Sequence, residues 1–148
     1  VEEWREFLAA SPVGQVTLVL ELTERELIEP TEITRRLWDA LHQLGVMIAI
    51  DDFGTGHSSL GYLRNFNVDY LKIDQSFVAM IGADALSGHI LDSIIELSGK
   101  LDLGIVAEGV ETREQCDYLA AQGVDFLQGY LFGKPLPCDE FIKSLARH

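Results

Sequence analysis

Short apolar segments alternate with amphipathic segments along the whole chain. Five of the apolar segments are four to six residues long and partly β-branched, which predicts buried strands at residues 17–21, 46–51, 68–73, 104–107 and 124–127. These segments are apolar throughout instead of alternating with polar residues, as is typical of parallel strands that are covered on both faces. The repeated order of strand and helix therefore predicts an α/β fold with a parallel sheet.

The amphipathic segments predict helices at residues 30–45, 60–66, 88–101, 112–123 and 139–146. In the first of them the apolar residues fall on one face, and these are Ile33, Leu37, Leu41 and Leu44. Gly45 then stands where a C-terminal cap belongs. Thr112 and Gln115 have the spacing of a capping box at the start of the fourth helix.

Five predicted strands are too few for a closed barrel, since a complete eight-stranded barrel takes roughly 200 residues or more. The chain has 148 residues, so it holds either an open sheet or a barrel that lacks about three strands. Residues 4–8 resemble the end of a helix whose beginning is absent. We favour an incomplete, TIM-like (β/α) barrel that lacks its N-terminal strands, with residues 1–148 forming part of one domain.

The formal net charge of −13 narrows the possible functions. An acidic surface repels nucleic acid, so DNA and RNA are not expected as partners. An acidic protein can still bind a phosphate ester if bound cations reverse the local field, which makes a divalent metal an early hypothesis. The apolar runs are too short to span a membrane, and Cys116 and Cys138 have no metal-binding spacing. We expect a cytoplasmic location, and a membrane anchor elsewhere in a longer parent chain stays open.

Polar side chains stand where the predicted strands end. They are Glu21, Asp51, Asp52, Lys72, Asp74, Glu108 and Gln128. Polar and ionisable residues at the carboxyl ends of buried parallel strands are typical of α/β active sites. Because parallel strands end at the same rim, we expect most of these side chains to lie close together. The four histidines have no spacing that would let them share a metal.

The acidic segments favour a site for hard cations. Asp51 and Asp52 are adjacent carboxylates that could each face a different cation. Glu21 ends a predicted strand and would point into the mouth of the sheet. The glycines of the following loop, Gly54 and Gly56, permit unusual backbone angles beside a ligand. An ordinary strand-to-helix turn at residues 51–56 and a solvated acidic loop at residues 21–24 remain the alternative interpretations.

The remaining polar residues each allow two interpretations. Lys72 could hold a phosphate oxygen or an attacking water, or it could form a plain ion pair with Asp74. Glu108 is placed to act as a general base or an outer metal ligand. Glu111 is better explained as a carboxylate at a helix N-terminus. Gln128 could orient a water or a phosphate, or only satisfy backbone groups of its loop. Together these residues indicate two-metal phosphodiester hydrolysis.

Five ordered motifs resemble those of the EAL-domain cyclic di-GMP phosphodiesterases. They are ELTE at 21–24, DDFGTGHSS at 51–59, LKID at 71–74, AEGVET at 107–112 and QGYLFGKP at 128–135. The resemblance implies a modified TIM barrel that hydrolyses cyclic di-GMP to the linear dinucleotide with Mg²⁺ or Mn²⁺, two ions in the complete domain. An unrelated metabolic barrel would not share these ordered site residues.

The resemblance also implies roles for individual residues. Glu21, Asp51 and Asp52 would bind metal, with Asp51 bridging both ions, and Lys72 would position the hydrolytic water or a phosphate. Glu108 would serve as the base, and Gln128 would line the same site. The remaining motif residues would anchor a loop or lie near the substrate, and these are Glu24, Gly54, Thr55, Gly56, Asp74 and Glu111.

The segment that names the family, with its metal-binding glutamate, is absent from this chain, and so is a later asparagine ligand. We therefore expect the chain alone to be inactive, although its parent protein should be active. A non-catalytic sensor or regulatory module for cyclic di-GMP is the alternative, but the chain retains Asp51, Asp52 and Lys72, which degenerate members usually lose. Exposed strand edges predict self-association or a homodimer. An upstream sensory or diguanylate cyclase domain stays open.

Overall fold

The computed structural model describes residues 17–23, 31–54, 67–82 and 85–145, and the fold is given for these residues. The strands are β1 (Val19–Thr23), β2 (Met47–Phe53), β3 (Tyr70–Ile73), β4 (Gly104–Ala107) and β5 (Phe126–Leu127). The helices are α1 (Glu32–Gln43), α2 (Gln75–Ala79), α3 (Ala85–Leu101), α4 (Arg113–Ala121) and α5 (Cys138–Leu145). The predicted helix at 60–66 lies outside the described residues.

The five strands form one parallel sheet in the order β1-β2-β3-β4-β5. A doubly wound sheet reverses its strand order at a switch point, whereas a (β/α) barrel adds each strand beside the previous one. The consecutive order is therefore that of a barrel wall. In the described part of the chain β1 and β5 are the two edges, so the sheet is open, which agrees with the predicted incomplete barrel.

The two faces of the sheet carry different residues, since side chains alternate along a strand. On one face, Ile48, Ile50, Leu71 and Ile73 are buried in the core with helix residues such as Leu91. The opposite face lines a cavity of about 290 Å³, and its strand residues are Val19, Glu21, Ala49, Tyr70, Lys72, Val106 and Phe126. One face of each strand packs against helices and the other lines the interior cavity. The strands therefore contain few polar residues before their carboxyl ends.

Local sequence signals account for several helix boundaries. The Thr31 side chain accepts a hydrogen bond from Thr34 N at the start of α1, and Gly45 adopts a φ of 78° after its end. The predicted capping box at α4 is confirmed, because Thr112 and Gln115 make both reciprocal bonds. The predicted inward face of α1 is wrong in part. Ile33 and Leu37 are 80% and 49% exposed, whereas Trp38 is buried.

Two shifts in strand position matter for the site. The strand β1 lies two residues later than predicted, so Glu21 stands in its middle and not at its end. Its pairing with β2 runs from Val19 opposite Met47 to Thr23 opposite Asp51. The strand β2 continues through Phe53, so Asp51 and Asp52 both lie within the strand, which was predicted to end at Asp51. No helix in the described part of the chain is both long enough and apolar enough to cross a membrane. Cys116 and Cys138 are free thiols.

Candidate active site

Lys72 lies at the centre of the polar rim, next to carboxylates from three other segments. Its Nζ atom lies 2.7 Å from Glu21 Oε2, 3.1 Å from Asp51 Oδ1 and 2.5 Å from Glu108 Oε1. The lysine side chain is only 5% exposed, whereas those of Glu21, Asp51 and Glu108 are 48%, 24% and 22% exposed. One buried cation on β3 therefore links residues of β1 and β2 with the residue that follows β4.

The hydrogen bonds of Lys72 shift its pKa. Burial alone acts to lower the pKa, because desolvation disfavours a charged amine. The hydrogen bonds to Glu108, Glu21 and Asp51 act in the opposite direction and together outweigh burial, so the pKa of Lys72 is raised above its ordinary value. Lys72 therefore stays protonated at neutral pH and cannot serve as a general base there.

An irregularity in β2 presents its two aspartates differently. The pairing with β3 shifts register between Ile50 and Phe53, which is a β-bulge, and Asp52 has a φ of 55°. Bulges re-aim side chains and are frequent beside active sites. Asp51 points its carboxylate at Lys72 and also accepts a hydrogen bond from Asp52 N at 3.0 Å, whereas the Asp52 side chain is exposed.

Gly54, which follows the bulge, also has a positive φ, with a value of 92°. A Cβ atom added at Gly54 would lie 3.2 Å from the Phe77 ring, so both its backbone angle and the limited space favour glycine. This confirms the unusual backbone angle predicted for Gly54. Thr55, Gly56 and His57 lie outside the described residues, as does Glu24.

The loops that follow β4 and β5 are joined through their backbones. Val110 N donates to Gln128 O at 3.0 Å, and Leu131 N donates to Val110 O at the same distance. A Cβ atom at Gly129 would lie 2.1 Å from Val110 O, so only glycine allows this approach. The segments that carry Glu108 and Gln128 therefore form one unit.

Gln128 lines two cavities at this end of the sheet. The first is the interior cavity that also contains Glu21 and Lys72. The second has a volume of about 280 Å³ and contains Glu108, Glu111 and Tyr130. Gln128 itself is exposed, so its amide is accessible from both sides.

Two other predicted residues have structural contacts. Asp74 does not pair with Lys72. It caps α2 instead, accepting hydrogen bonds from Ser76 N at 2.9 Å and from the Ser76 hydroxyl. Glu111 precedes the cap of α4, and its backbone N donates to Gln115 Oε1 at 2.8 Å. The alternative ion pair between Lys72 and Asp74 is therefore absent, and Glu111 stands at a helix start as expected.

Two aromatic residues of the interior were not predicted as part of the site. Tyr70 and Phe126 line the first cavity, and their rings meet edge to face with 5.7 Å between centroids. A Cβ atom at Gly104 would lie 2.6 Å from the Tyr70 ring, so the glycine makes room for it. Each ring precedes a predicted polar residue by two positions, Lys72 and Gln128, and the period of two could have found both.

The oxygen donors at the rim have the chemistry that Mg²⁺ and Mn²⁺ prefer. Within residues 17–23, 31–54, 67–82 and 85–145, no group of three or more acidic, histidine or cysteine side chains is arranged to hold a metal ion. The Lys72 ammonium fills the centre of the carboxylate cluster instead. The donor set fits a hard cation in type, and the Lys72 ammonium already balances part of its negative charge.

The fold and the site together define a wall of a (β/α) barrel with a polar rim at the carboxyl ends of its strands. The chain matches the EAL domain family over residues 1–135, and it belongs to that family. It is 53% identical over 130 residues to the cyclic di-GMP phosphodiesterase PdeL of Escherichia coli K12, which covers 88% of this chain. The chain spans 36% of the length of that relative.

Solved structures give the same family assignment. The EAL domain of Mycobacterium smegmatis DcpA is similar with a TM-score of 0.85 and 38% identity, covering 99% of this chain and 66% of that domain chain. Klebsiella pneumoniae BlrP1, solved with manganese and cyclic di-GMP, is similar with a TM-score of 0.68 and 37% identity. That match covers 79% of this chain and 30% of BlrP1.

Proposed function

We propose that this chain is the C-terminal portion of a metal-dependent phosphodiesterase domain that hydrolyses cyclic di-GMP to the linear dinucleotide. One observation carries the proposal: Glu21, Asp51 and Glu108 converge on Lys72 at the carboxyl ends of the strands, in a chain of the EAL family. The carboxyl-end rim is where barrel enzymes hold their catalytic groups. The name of PdeL and the ligand of BlrP1 support cyclic di-GMP as the substrate.

Glu21, Asp51 and Asp52 would hold the metal, which we propose to be Mg²⁺ or Mn²⁺, as two ions in the complete domain. Bound metal would supply an activated water and stabilise the charge that develops on the phosphate. The manganese in BlrP1 supports this choice of ion. Two adjacent aspartates on the β2 bulge suit the task, because bulges re-aim side chains and the two residues have different surroundings, Asp51 beside Lys72 and Asp52 exposed.

Three other residues would act on the water and the phosphodiester. Glu108 would accept the proton of the attacking water, since its carboxylate is only partly exposed and is held in place by Lys72. Lys72 would stabilise a phosphate oxygen as a point charge, because it stays protonated at neutral pH. Gln128 would orient the substrate from the junction of the two cavities.

A test of this proposal is hydrolysis of cyclic di-GMP, followed by chromatography, with Mn²⁺ and again with EDTA. The assay would compare this chain with a version extended upstream by about 100 residues, which approximates a full barrel. We expect turnover only in the extended version and only with Mn²⁺. Turnover that persists in EDTA would contradict the metal dependence.

A non-catalytic receptor for cyclic di-GMP is the second candidate, and one observation favours it. In the described residues, Lys72 lies at the centre of the carboxylates, and no group of three or more acidic, histidine or cysteine side chains is arranged to hold a metal ion. Tight binding of cyclic di-GMP by a folded, extended version without any turnover would establish the receptor and exclude the enzyme.

We also propose that copies of this chain self-associate, and that the domain works in the cytoplasm. In the described sheet β1 and β5 each have one strand neighbour, and both edges carry exposed apolar side chains, namely Val19, Leu20 and Phe126. Open edges and apolar patches favour pairing with another chain. Light scattering should report a mass above that of the monomer, and a strictly monomeric profile would contradict the proposal.

A further inference from the structure

We propose that the Lys72 ammonium is a built-in counter-ion that a divalent metal must displace from the carboxylates, so that metal loading releases the lysine for the substrate phosphate. This inference rests on the proposed metal-dependent function. It adds an order of events, in which the metal binds first and the lysine becomes available second. The starting observation is the cluster itself, with one ammonium within 3.1 Å of three carboxylates.

Competition follows from the chemistry of the carboxylate oxygens. Ionised carboxylates only accept, and their lone pairs at Lys72 already receive the ammonium hydrogens. A metal ion bound by the same oxygens withdraws those lone pairs and repels the ammonium. At separations of a few ångströms in a partly buried site, that repulsion is strong. The proposed metal ligands Glu21 and Asp51 are two of the three partners that Lys72 has in the structure.

The lysine has a place to move to. Lys72 lines the interior cavity of about 290 Å³, together with Gln128, and its long flexible stem lets the ammonium swing without a change in the strand. On the opposite side of the strand, Leu71 and Ile73 are fully buried in the core and fix the backbone. Displacement would therefore move the positive charge into the cavity that the proposed substrate would enter.

The lysine would also serve the protein before metal arrives. Three carboxylates that converge without a cation would repel one another, and Lys72 offsets part of that repulsion. A neutral side chain at this position should thus lower the stability of the metal-free protein and increase its attraction for divalent cations. These two expectations separate a counter-ion from a lysine that only assists the chemical step.

The experiment is calorimetric titration of Mn²⁺ into the metal-stripped complete protein that carries this chain, comparing wild type with Lys72→Met and Lys100→Met. Lys100 is the matched control, because it is 70% exposed and pairs only with Glu96 among the contacts found in the described residues. We expect Lys72→Met to bind Mn²⁺ at least about tenfold more tightly, which equals about 1.4 kcal/mol. Lys100→Met should bind as the wild type does.

Each outcome separates the two proposals. If the wild type binds Mn²⁺ but Lys72→Met binds it equally or more weakly, the counter-ion proposal is wrong and the proposed metal site stands. If the wild type binds no Mn²⁺, both the metal-site proposal and the counter-ion proposal are wrong.

A second measurement uses the wild type alone, in case Lys72→Met does not fold. Acetic anhydride labels free amines, and mass spectrometry of the peptides reports each lysine separately. We expect Mn²⁺ to increase the labelling of Lys72, because the ammonium loses two of its three carboxylate partners, Glu21 and Asp51, and to leave Lys100 unchanged. Labelling of Lys72 that falls or does not change on addition of Mn²⁺ would overturn the proposal.

Discussion

The two ends of the sheet both carry aspartates, but their partners differ. At the amino end, Asp69 and Asp125 each stand directly before a strand and accept a hydrogen bond from the backbone of the preceding strand. The donors are Ile48 N and Ile105 N, each at 2.7 Å. At the carboxyl end, Asp51 accepts from the adjacent Asp52 N and also from the side chain of Lys72. The same residue type thus meets a backbone donor of the neighbouring strand at one end and a movable cation at the other.

This difference separates structural from chemical roles. A backbone N–H cannot leave its carboxylate unless the strand itself moves, so Asp69 and Asp125 act as fixed links between neighbouring strands. His42 adds to this end, with its Nε2 atom 2.9 Å from Asp69 Oδ2. A lysine side chain can swing away, so the carboxylates at the rim can exchange one cation for another. The distinction agrees with the general division of barrels into a stability end and a catalytic end.

The largest expected effect is at the rim. If the proposed function holds, Glu108→Gln in the complete protein should lower the hydrolysis of cyclic di-GMP at least about a hundredfold, because the neutral amide cannot accept the proton of water. Unfolding by urea should change little, since Lys72 keeps its other two carboxylates. Glu114→Gln, at an exposed position in α4, is the matched control and should retain the wild-type rate. A near-normal rate in Glu108→Gln would show that another group is the base.

An intermediate effect is expected at the amino end. Asp69→Ala should lower the free energy of unfolding by about 1–3 kcal/mol, because Ile48 N–H loses its acceptor in a part-buried position. Asp117→Ala removes only an exposed ion pair with Arg113 and should cost no more than about 1 kcal/mol. Equal losses in the two variants, measured by urea denaturation, would contradict the structural role of Asp69.

The smallest effect tests a carboxylate that stands at the rim but behaves like those of the amino end. Asp74→Ala removes the N-cap of α2 and should cost about 1 kcal/mol of stability. Asp74→Asn should be nearly neutral, because asparagine caps helices about as well. If both variants lose the same stability, the contribution of Asp74 comes from its charge and not from its cap.

The sequence predicted the order of strands and the residues at their ends, because buried strands and polar ends leave a clear pattern. The strand Gly104–Ala107 was predicted with its observed bounds. The helix α2 was missed, since five residues are too short for helical periodicity, although Asp74 before Gln75 and Ser76 is an N-cap signal. The buried side of α1 was predicted wrongly, because a single sequence does not show which of two apolar stripes is buried. In the structure, the buried stripe is the one that contains Trp38.

The contacts of Lys72 were beyond the sequence. Its position at a strand end was evident, but distances to Glu21, Asp51 and Glu108 depend on the register of four segments and on the bulge in β2. Neither feature has a reliable signal in a single chain. The roles of these residues in catalysis and metal binding stay predictions, as do those of Glu24, Thr55 and Gly56.

The close approach of Gly129 to Val110 determines how early in its synthesis the protein can form the site. A chain emerges from the ribosome with its N-terminal part first, and folding proceeds in that order. The loop after Glu108 takes its final position only when the backbone near Gln128 and Leu131 is present to bond with Val110. The site is therefore completed only after the residues up to Leu131 have left the ribosome.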